Sequence, residues 1–150
     1  TPFLEDVAAL ANAGADIIAY DATSRNRPVP RAEIVAAIIK CNCLAMADCS
    51  SVADAKNAIK DNASIIGTTL SGYTEDTEHL GPEPDFDLVR RFKELGGFVM
   101  AEGRFSTPGL ARDAIHAGAD CVTVGTPLTR LEVNTAAFKE SLTRKGDHDA

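Results

Sequence analysis

Positive charge is scarce along this chain: 15 Lys and Arg stand against 22 Asp and Glu in 150 residues, for a formal net charge of −7 and a pI near 4.9. A nucleic acid or an anionic membrane would need a broad basic face, so neither is expected as a partner. A small anion stays open, provided that positive potential is gathered locally. Long apolar runs are also missing. None approaches the ~18 residues of a membrane span, and the N-terminus lacks the basic-then-apolar order of a signal peptide. A soluble, cytoplasmic protein is the expectation. The chain begins with Thr1, not with an initiator methionine. Thr1-Pro2 followed by Glu5 and Asp6 reads as an N-cap, a first-turn proline and acidic early-turn residues, so the chain is expected to open on a helix.

Cysteine is sparse too: Cys41, Cys43, Cys49 and Cys121. Three lie in or beside apolar runs, where free thiols pack as small hydrophobes, and all four are expected to be reduced and structural. A metal site at Cys41-Asn42-Cys43 would need a second cysteine pair, which is absent. His79, His116 and His148 stand in unrelated contexts, so no metal is expected.

What is present is a globular balance, 45% hydrophobic and 25% charged, enough for one sizeable core. Residues 2–13 carry Phe3, Leu4, Val7, Ala8, Leu10 and Ala11 at helical spacing, with Gly14 as the stop. A short apolar run, 16–21, then ends on Asp21. The unit returns as helix 31–40 and strand 43–48, helix 51–61 and strand 64–69, helix 84–95 and strand 98–102, and helix 107–117 and strand 120–125. A last helix covers about 132–143. Short apolar runs between helices predict strands buried on both faces of a parallel sheet, built from βαβ units with right-handed crossovers.

Ala13-Gly14-Ala15-Asp16 recurs as Ala117-Gly118-Ala119-Asp120, and four modules of 26 residues fill the interval. A complete eight-stranded barrel runs to roughly 200–250 residues. The expected fold is therefore α/β: a (β/α)₈ TIM barrel of the phosphate-binding type, here incomplete, with about five strands and six helices, the first three modules lying upstream. Residues 1–144 would form one partial domain and 145–150 a polar tail. An open flavodoxin-like sheet is the alternative. It would put a phosphate loop after the first strand, but Ala22-Thr23-Ser24-Arg25-Asn26-Arg27-Pro28 there lacks glycine.

Barrel active sites form at the carboxyl ends of strands. Those positions hold Asp21, Asp48, Thr68 with Thr69, Glu102, and Gly125 with Thr126. Ser50, Ser51 and Thr107 are better read as helix caps. Converging carboxylates shift each other's pKa values and suit acid–base work. That is the expected role of Glu102 and Asp48, whereas Asp21 is expected to pair with Arg25 or Arg27. Glu102-Gly103-Arg104 and Val124-Gly125-Thr126-Pro127 place glycine turns before helix starts in the last two modules, where amides together with Arg104 and Arg130 would gather around an anion.

These stretches, with Asp21 to Pro28, Ala47-Asp48-Cys49-Ser50 and the more specific Gly67-Thr68-Thr69-Leu70-Ser71-Gly72-Tyr73-Thr74, resemble the successive loop motifs of the N-acetylmannosamine-6-phosphate 2-epimerase family, from Thr1 to about Phe138. Cys49 and Pro127-Leu128 depart from the pattern. The resemblance implies an isomerase that interconverts N-acetylmannosamine 6-phosphate and N-acetylglucosamine 6-phosphate by C2 proton transfer, in sialic-acid and amino-sugar catabolism, without a cofactor. It implies Glu102 as a catalytic residue, Asp48, Thr68 and Thr69 as substrate-binding, and Gly103, Arg104, Gly125, Thr126 and Arg130 as phosphate-binding. The implied partner is a small sugar phosphate, and a homodimer is allowed. The family's main proton carrier is a lysine ending the third strand, upstream of Thr1, so the 150 residues alone are expected to be inactive. A different phosphate-barrel enzyme, of the pentulose-phosphate epimerase, thiamine-phosphate synthase or aldolase type, and an inert phosphate-binding remnant are the competing expectations.

Overall fold

Five of the apolar runs become five parallel strands in a computed structural model that describes residues 1–143. The strands are β1 (Ile17–Asp21), β2 (Leu44–Asp48), β3 (Ile65–Gly67), β4 (Phe98–Glu102) and β5 (Cys121–Thr123). They alternate with α1 (Leu4–Asn12), α2 (Arg31–Lys40), α3 (Val52–Lys60), α4 (Phe86–Glu94) and α5 (Pro108–His116), and β5 is followed by α6 (Thr126–Thr129) and α7 (Leu131–Thr143). The order across the sheet is β1-β2-β3-β4-β5. An open doubly wound sheet reverses its order at a switch point, whereas here nothing reverses. Each right-handed crossover then lays its helix on the same face, which makes the wall of a (β/α)₈ barrel.

The period of two along each strand separates the faces. Ile18, Tyr20, Ala45, Ala47, Ile66, Val99 and Ala101 are buried in one cluster with Val7, Ile34, Val35, Ile38, Leu88, Val89 and Phe92 from the helices. Burying each large side chain of this layer contributes about 1.5–3 kcal/mol. The alternate positions face away from the helices, and there Asp21 lies opposite Asp48 in register while Glu102 lies opposite Thr123. The carboxylates that close β1, β2 and β4 therefore share one face and one end of the sheet.

Several expectations are corrected. Thr1 is not an N-cap: the helix begins at Leu4 behind Phe3, whose N–H donates to Asp6 Oδ2 at 3.2 Å, and the Thr1 hydroxyl donates to the Ala19 carbonyl at 2.6 Å. A strand carbonyl brought close by folding offers that hydroxyl a better acceptor than its own chain does. The expected terminal helix, about 132–143, is α7, but a short helix that was not expected, α6, precedes it and is separated from it at Arg130 (φ −120, ψ 82), which raises the expected six helices to seven among the described residues. Cys43 and Cys49 are buried, whereas Cys41 and Cys121 are exposed because the first follows α2 and the second starts β5 on the face away from the helices. The expected polar tail, 145–150, lies outside the described residues.

Candidate active site

Strand β3 ends at Gly67, two residues short of the expected 64–69, and from there side chains join the pairing. Thr68 Oγ1 donates to the Glu102 carbonyl at 2.9 Å and accepts the Glu102 N–H at 3.0 Å, so one hydroxyl satisfies both backbone groups of a residue 34 positions away. Thr68 is buried. It was expected to bind substrate; the structure turns its hydroxyl to the protein backbone, where it fixes the end of β4. This clasp sets where the Glu102 side chain emerges.

Thr69, one residue on, points the opposite way. Its hydroxyl donates to Asp48 Oδ1 at 2.8 Å and lies 3.4 Å from Glu102 Oε2. Burial pushes the Asp48 carboxyl up to about 6, against the Thr69 hydrogen bond, and the Glu102 charge adds to the rise. Burial likewise lifts the Glu102 carboxyl, again opposed by Thr69. A carboxyl raised towards neutral pH can both take and give a proton under working conditions, as general acid–base chemistry requires.

Glu102 and Thr69 line a cavity of about 540 Å³ together with Gly103, Arg104, Gly125 and Thr126. Most of the residues expected to bind substrate or phosphate therefore meet in one place, and Asp48 joins them across the Thr69 hydroxyl. Gly103 (φ 105) and Arg104 (φ 65) both take left-handed backbone, a turn that costs a non-glycine residue about 1–3 kcal/mol and is often found at functional sites. The turn sends Arg104 across the cavity wall. Its guanidinium carbon sits 5.8 Å from the centre of the Tyr73 ring, its Nη1 donates to the Gly81 carbonyl at 3.2 Å, and its Nε is buried with no hydrogen-bond partner among the described residues.

Gly72 makes this path available. A Cβ there would lie 1.9 Å from Arg104 Nη1, at a backbone φ of +82. Gly72→Ala is therefore expected to destabilise the chain by about 1–3 kcal/mol through backbone strain and displacement of the guanidinium. A lower urea midpoint would show it, and an unchanged midpoint would mean that Arg104 moves aside freely.

Two other expected groups lie elsewhere. Asp21 takes the structural role expected of it: it accepts from the Thr23 N–H and hydroxyl at 2.8 and 2.6 Å and pairs with Arg25 and Arg27. Burial alone would raise its carboxyl, but the Thr23 hydrogen bonds and the two guanidinium groups hold it below the usual range. Arg130 lies outside the cavity lining and binds Glu132 Oε1 through Nε at 2.8 Å. Ser51 and Thr107 cap α3 and α5 as expected. Ser50 does not cap; its N–H and hydroxyl both donate to Asp54 Oδ2, which stiffens the turn that follows Asp48.

The sequence reading missed Thr123, Ser106 and Asn134 in the cavity wall. Thr123 was findable, since it is the register partner of Glu102 on the last strand. Asn134 was not: it comes from α7, and its amide donates to the Pro127 carbonyl at 2.6 Å, a contact that only the α6–α7 bend creates.

The family model described as "Putative N-acetylmannosamine-6-phosphate epimerase" matches residues 1–144. A protein of Vibrio cholerae serotype O1 (strain M66-2), described as "Putative N-acetylmannosamine-6-phosphate 2-epimerase", is 52% identical over 147 residues, which are 98% of this chain and 60% of that protein. The "Bifunctional enzyme NanE/NanK" of Brucella melitensis biotype 1 is also 52% identical, over 95% of this chain and 27% of its own length. Among solved structures, the N-acetylmannosamine-6-phosphate 2-epimerase from Clostridium perfringens superimposes with a TM-score of 0.89 at 33% identity, covering 94% of this chain and 62% of that one. The chain thus spans about three-fifths of that solved chain and of the Vibrio relative.

Proposed function

We propose, because this chain belongs to the N-acetylmannosamine-6-phosphate epimerase family, that the whole protein interconverts N-acetylmannosamine 6-phosphate and N-acetylglucosamine 6-phosphate by moving a proton at C2. The observation that carries the proposal is a raised carboxyl, Glu102, lining the same cavity as a buried, unpartnered Arg104 Nε. The substrate needs both ends: an acid–base group at C2 and an anion site for the phosphate. C2 of the opened sugar lies next to the aldehyde carbon, so losing its proton gives an enolate that a neighbouring acid can stabilise, and a proton returned to the other face of C2 completes the inversion. Glu102 takes the acid–base role, while Asp48 and Thr69 contact the sugar. The Gly103 and Gly125 turns, with Arg104 and Thr126, hold the phosphate, and Arg130 reaches it by leaving Glu132. Thr68 acts through Glu102 as a positioning residue. A proton moved at carbon asks for no redox group, and none is included.

Among the described residues no lysine lines the cavity, so we include in the proposal that residues 1–150 alone do not turn over substrate and that the main proton carrier is a lysine outside them. Residues 1–144 then belong to a single barrel domain. A cytoplasmic setting goes with this, where four free cysteines stay reduced, and a homodimer is compatible with it.

The test is to incubate the whole protein with N-acetylmannosamine 6-phosphate in D₂O and follow the proton spectrum. The expected result is N-acetylglucosamine 6-phosphate carrying deuterium at C2. Neither conversion nor exchange at C2 would reject the proposal, and a Schiff base trapped by borohydride would favour an aldolase instead.

A further inference from the structure

Arg104 is a partly buried cation with no carboxylate beside it. Among the described residues Arg25, Arg27, Arg31, Arg91, Arg112 and Arg130 each lie within 4.0 Å of an acidic side chain, and Arg104 does not. Acids are not in short supply: the chain carries a net charge of −7, and residues 71–85 alone include Glu75, Asp76, Glu78, Glu83 and Asp85. That stretch gives Arg104 a backbone carbonyl instead, from Gly81 at 3.2 Å. A guanidinium has five N–H donors. One is taken by Gly81, and the one on Nε is buried with no partner among the described residues. A guanidinium left without a counter-charge in an acidic chain, on a cavity wall, stays open to an anion from solution.

Ordering one long side chain at the moment of binding weakens affinity by about 2–10-fold. Here the ordering is done in advance by the turn that follows β3, whose backbone is fixed at several points. Leu70 N–H donates to the Cys49 carbonyl and Tyr73 N–H to the Leu70 carbonyl, both at 3.0 Å. Gly72 N–H donates to Thr77 Oγ1 at 2.9 Å, and the Ser71 hydroxyl to Asp85 Oδ2 at 2.6 Å. From this base the Tyr73 side chain, 59% exposed, reaches the Gly103-Arg104 turn. A Cβ at Gly103 would lie 3.9 Å from Tyr73 Cε2, and the Arg104 guanidinium carbon is 5.8 Å from the ring centre. A cation within about 6 Å of a ring centroid is attracted to the ring face. The missing side chain of Gly72 leaves the room that Nη1 occupies.

We infer that Tyr73 is a positioning residue for the anion end of the cavity: its ring holds the Arg104 guanidinium on the wall, so that Arg104 meets a phosphoryl group without having to be ordered first. The Tyr73 hydroxyl makes no hydrogen bond among the described residues, so the ring and not the oxygen is the acting part. The choice of a sugar phosphate as the ligand rests on the proposed function; the hold of the ring on the guanidinium does not.

The test uses the whole protein, isotope-labelled at the arginine nitrogens. In the wild type the Nε–H signal of Arg104, identified by its loss in Arg104→Gln, is expected to persist at pH 7 because the atom is buried. In Tyr73→Leu that signal is expected to vanish by exchange with water, and phosphorus NMR titration with inorganic phosphate should show binding about 3–10-fold weaker. Tyr73→Phe keeps the ring, and it should keep the signal and bind phosphate within about 2-fold of the wild type. With N-acetylmannosamine 6-phosphate as substrate, the Leu variant should raise KM by the same factor and leave kcat unchanged. A signal absent from the wild type or persisting in the Leu variant overturns the inference. So do unchanged phosphate binding in the Leu variant, an equal loss in the Phe variant, a fall in kcat, or a wild type that binds no phosphate. Should the Leu variant not fold, Tyr73→Met replaces it and is read in the same way. The spectra and the phosphate titration involve no turnover, so a protein in which ring, guanidinium and phosphate are coupled but nothing is epimerised keeps the inference and sinks only the functional reading.

Discussion

Glu102→Gln is expected to lower turnover of the whole protein by about 10²–10⁴-fold while sugar-phosphate binding stays near wild type, the range that one general acid–base group contributes. Glutamine matches glutamate in shape, and the clasp that places residue 102 acts on its backbone through Thr68, so the substitution leaves the strand end where it is. What disappears is the ability to take and give a proton. Steady-state turnover and calorimetric binding of the product sugar phosphate separate the two effects. Unchanged turnover would move the acid–base role to another group, and lost binding would mean that Glu102 serves chiefly to hold the sugar.

Asp48→Asn is expected to make the protein more stable at pH 7 and less active. The Asp48 carboxyl is raised from 3.8 to about 6 by burial, so the folded chain holds that proton more tightly than the unfolded chain does. The stability this provides is complete below about pH 4 and is lost as the pH climbs through 6; above that, the buried charge is a constant cost. A displacement of this size corresponds to about 2–3 kcal/mol, with water at the cavity mouth favouring the lower figure. Asparagine carries no charge to bury, so the variant should exceed the wild type by about 2 kcal/mol at pH 7, with the difference shrinking towards pH 4. Urea melts at a series of pH values would show it, and a variant less stable at pH 7 would contradict the assignment. Asp21 behaves in the opposite sense, its carboxyl being held low, and since it is present in both proteins it cancels in the comparison. Loss of activity alongside gained stability is the usual relation where a charge is kept buried for function.

The strand pattern was legible because helical spacing alternated with short apolar runs. Those runs closed on Asp21, Asp48 and Glu102, which marked the strand ends that the structure gives β1, β2 and β4, while the shared face came from the period of two seen in the folded sheet. What a run of residues does not reveal is which way each side chain turns once the strand has stopped. Thr68 and Thr69 look equivalent in the sequence, yet successive positions of extended chain face opposite sides, and one clasps the backbone while the other joins the carboxyls. Arg104 and Arg130 were indistinguishable for a similar reason. Arg130 finds Glu132 two residues away, whereas Arg104 is carried to Gly81 by a left-handed turn that no propensity favours in arginine. Asn134 enters the wall only because the chain bends between α6 and α7.

The grip of Arg104 on the Gly81 carbonyl and beside the Tyr73 ring gives the long stretch between β3 and α4 a meaning of its own. Such an excursion would ordinarily tolerate insertions at its tip without penalty, but this one is tethered to the residue that follows the Glu102-Gly103 turn. Lengthening it near Gly81 would therefore be felt at the anion end of the cavity, and grafting it between relatives would need the arginine to travel with it.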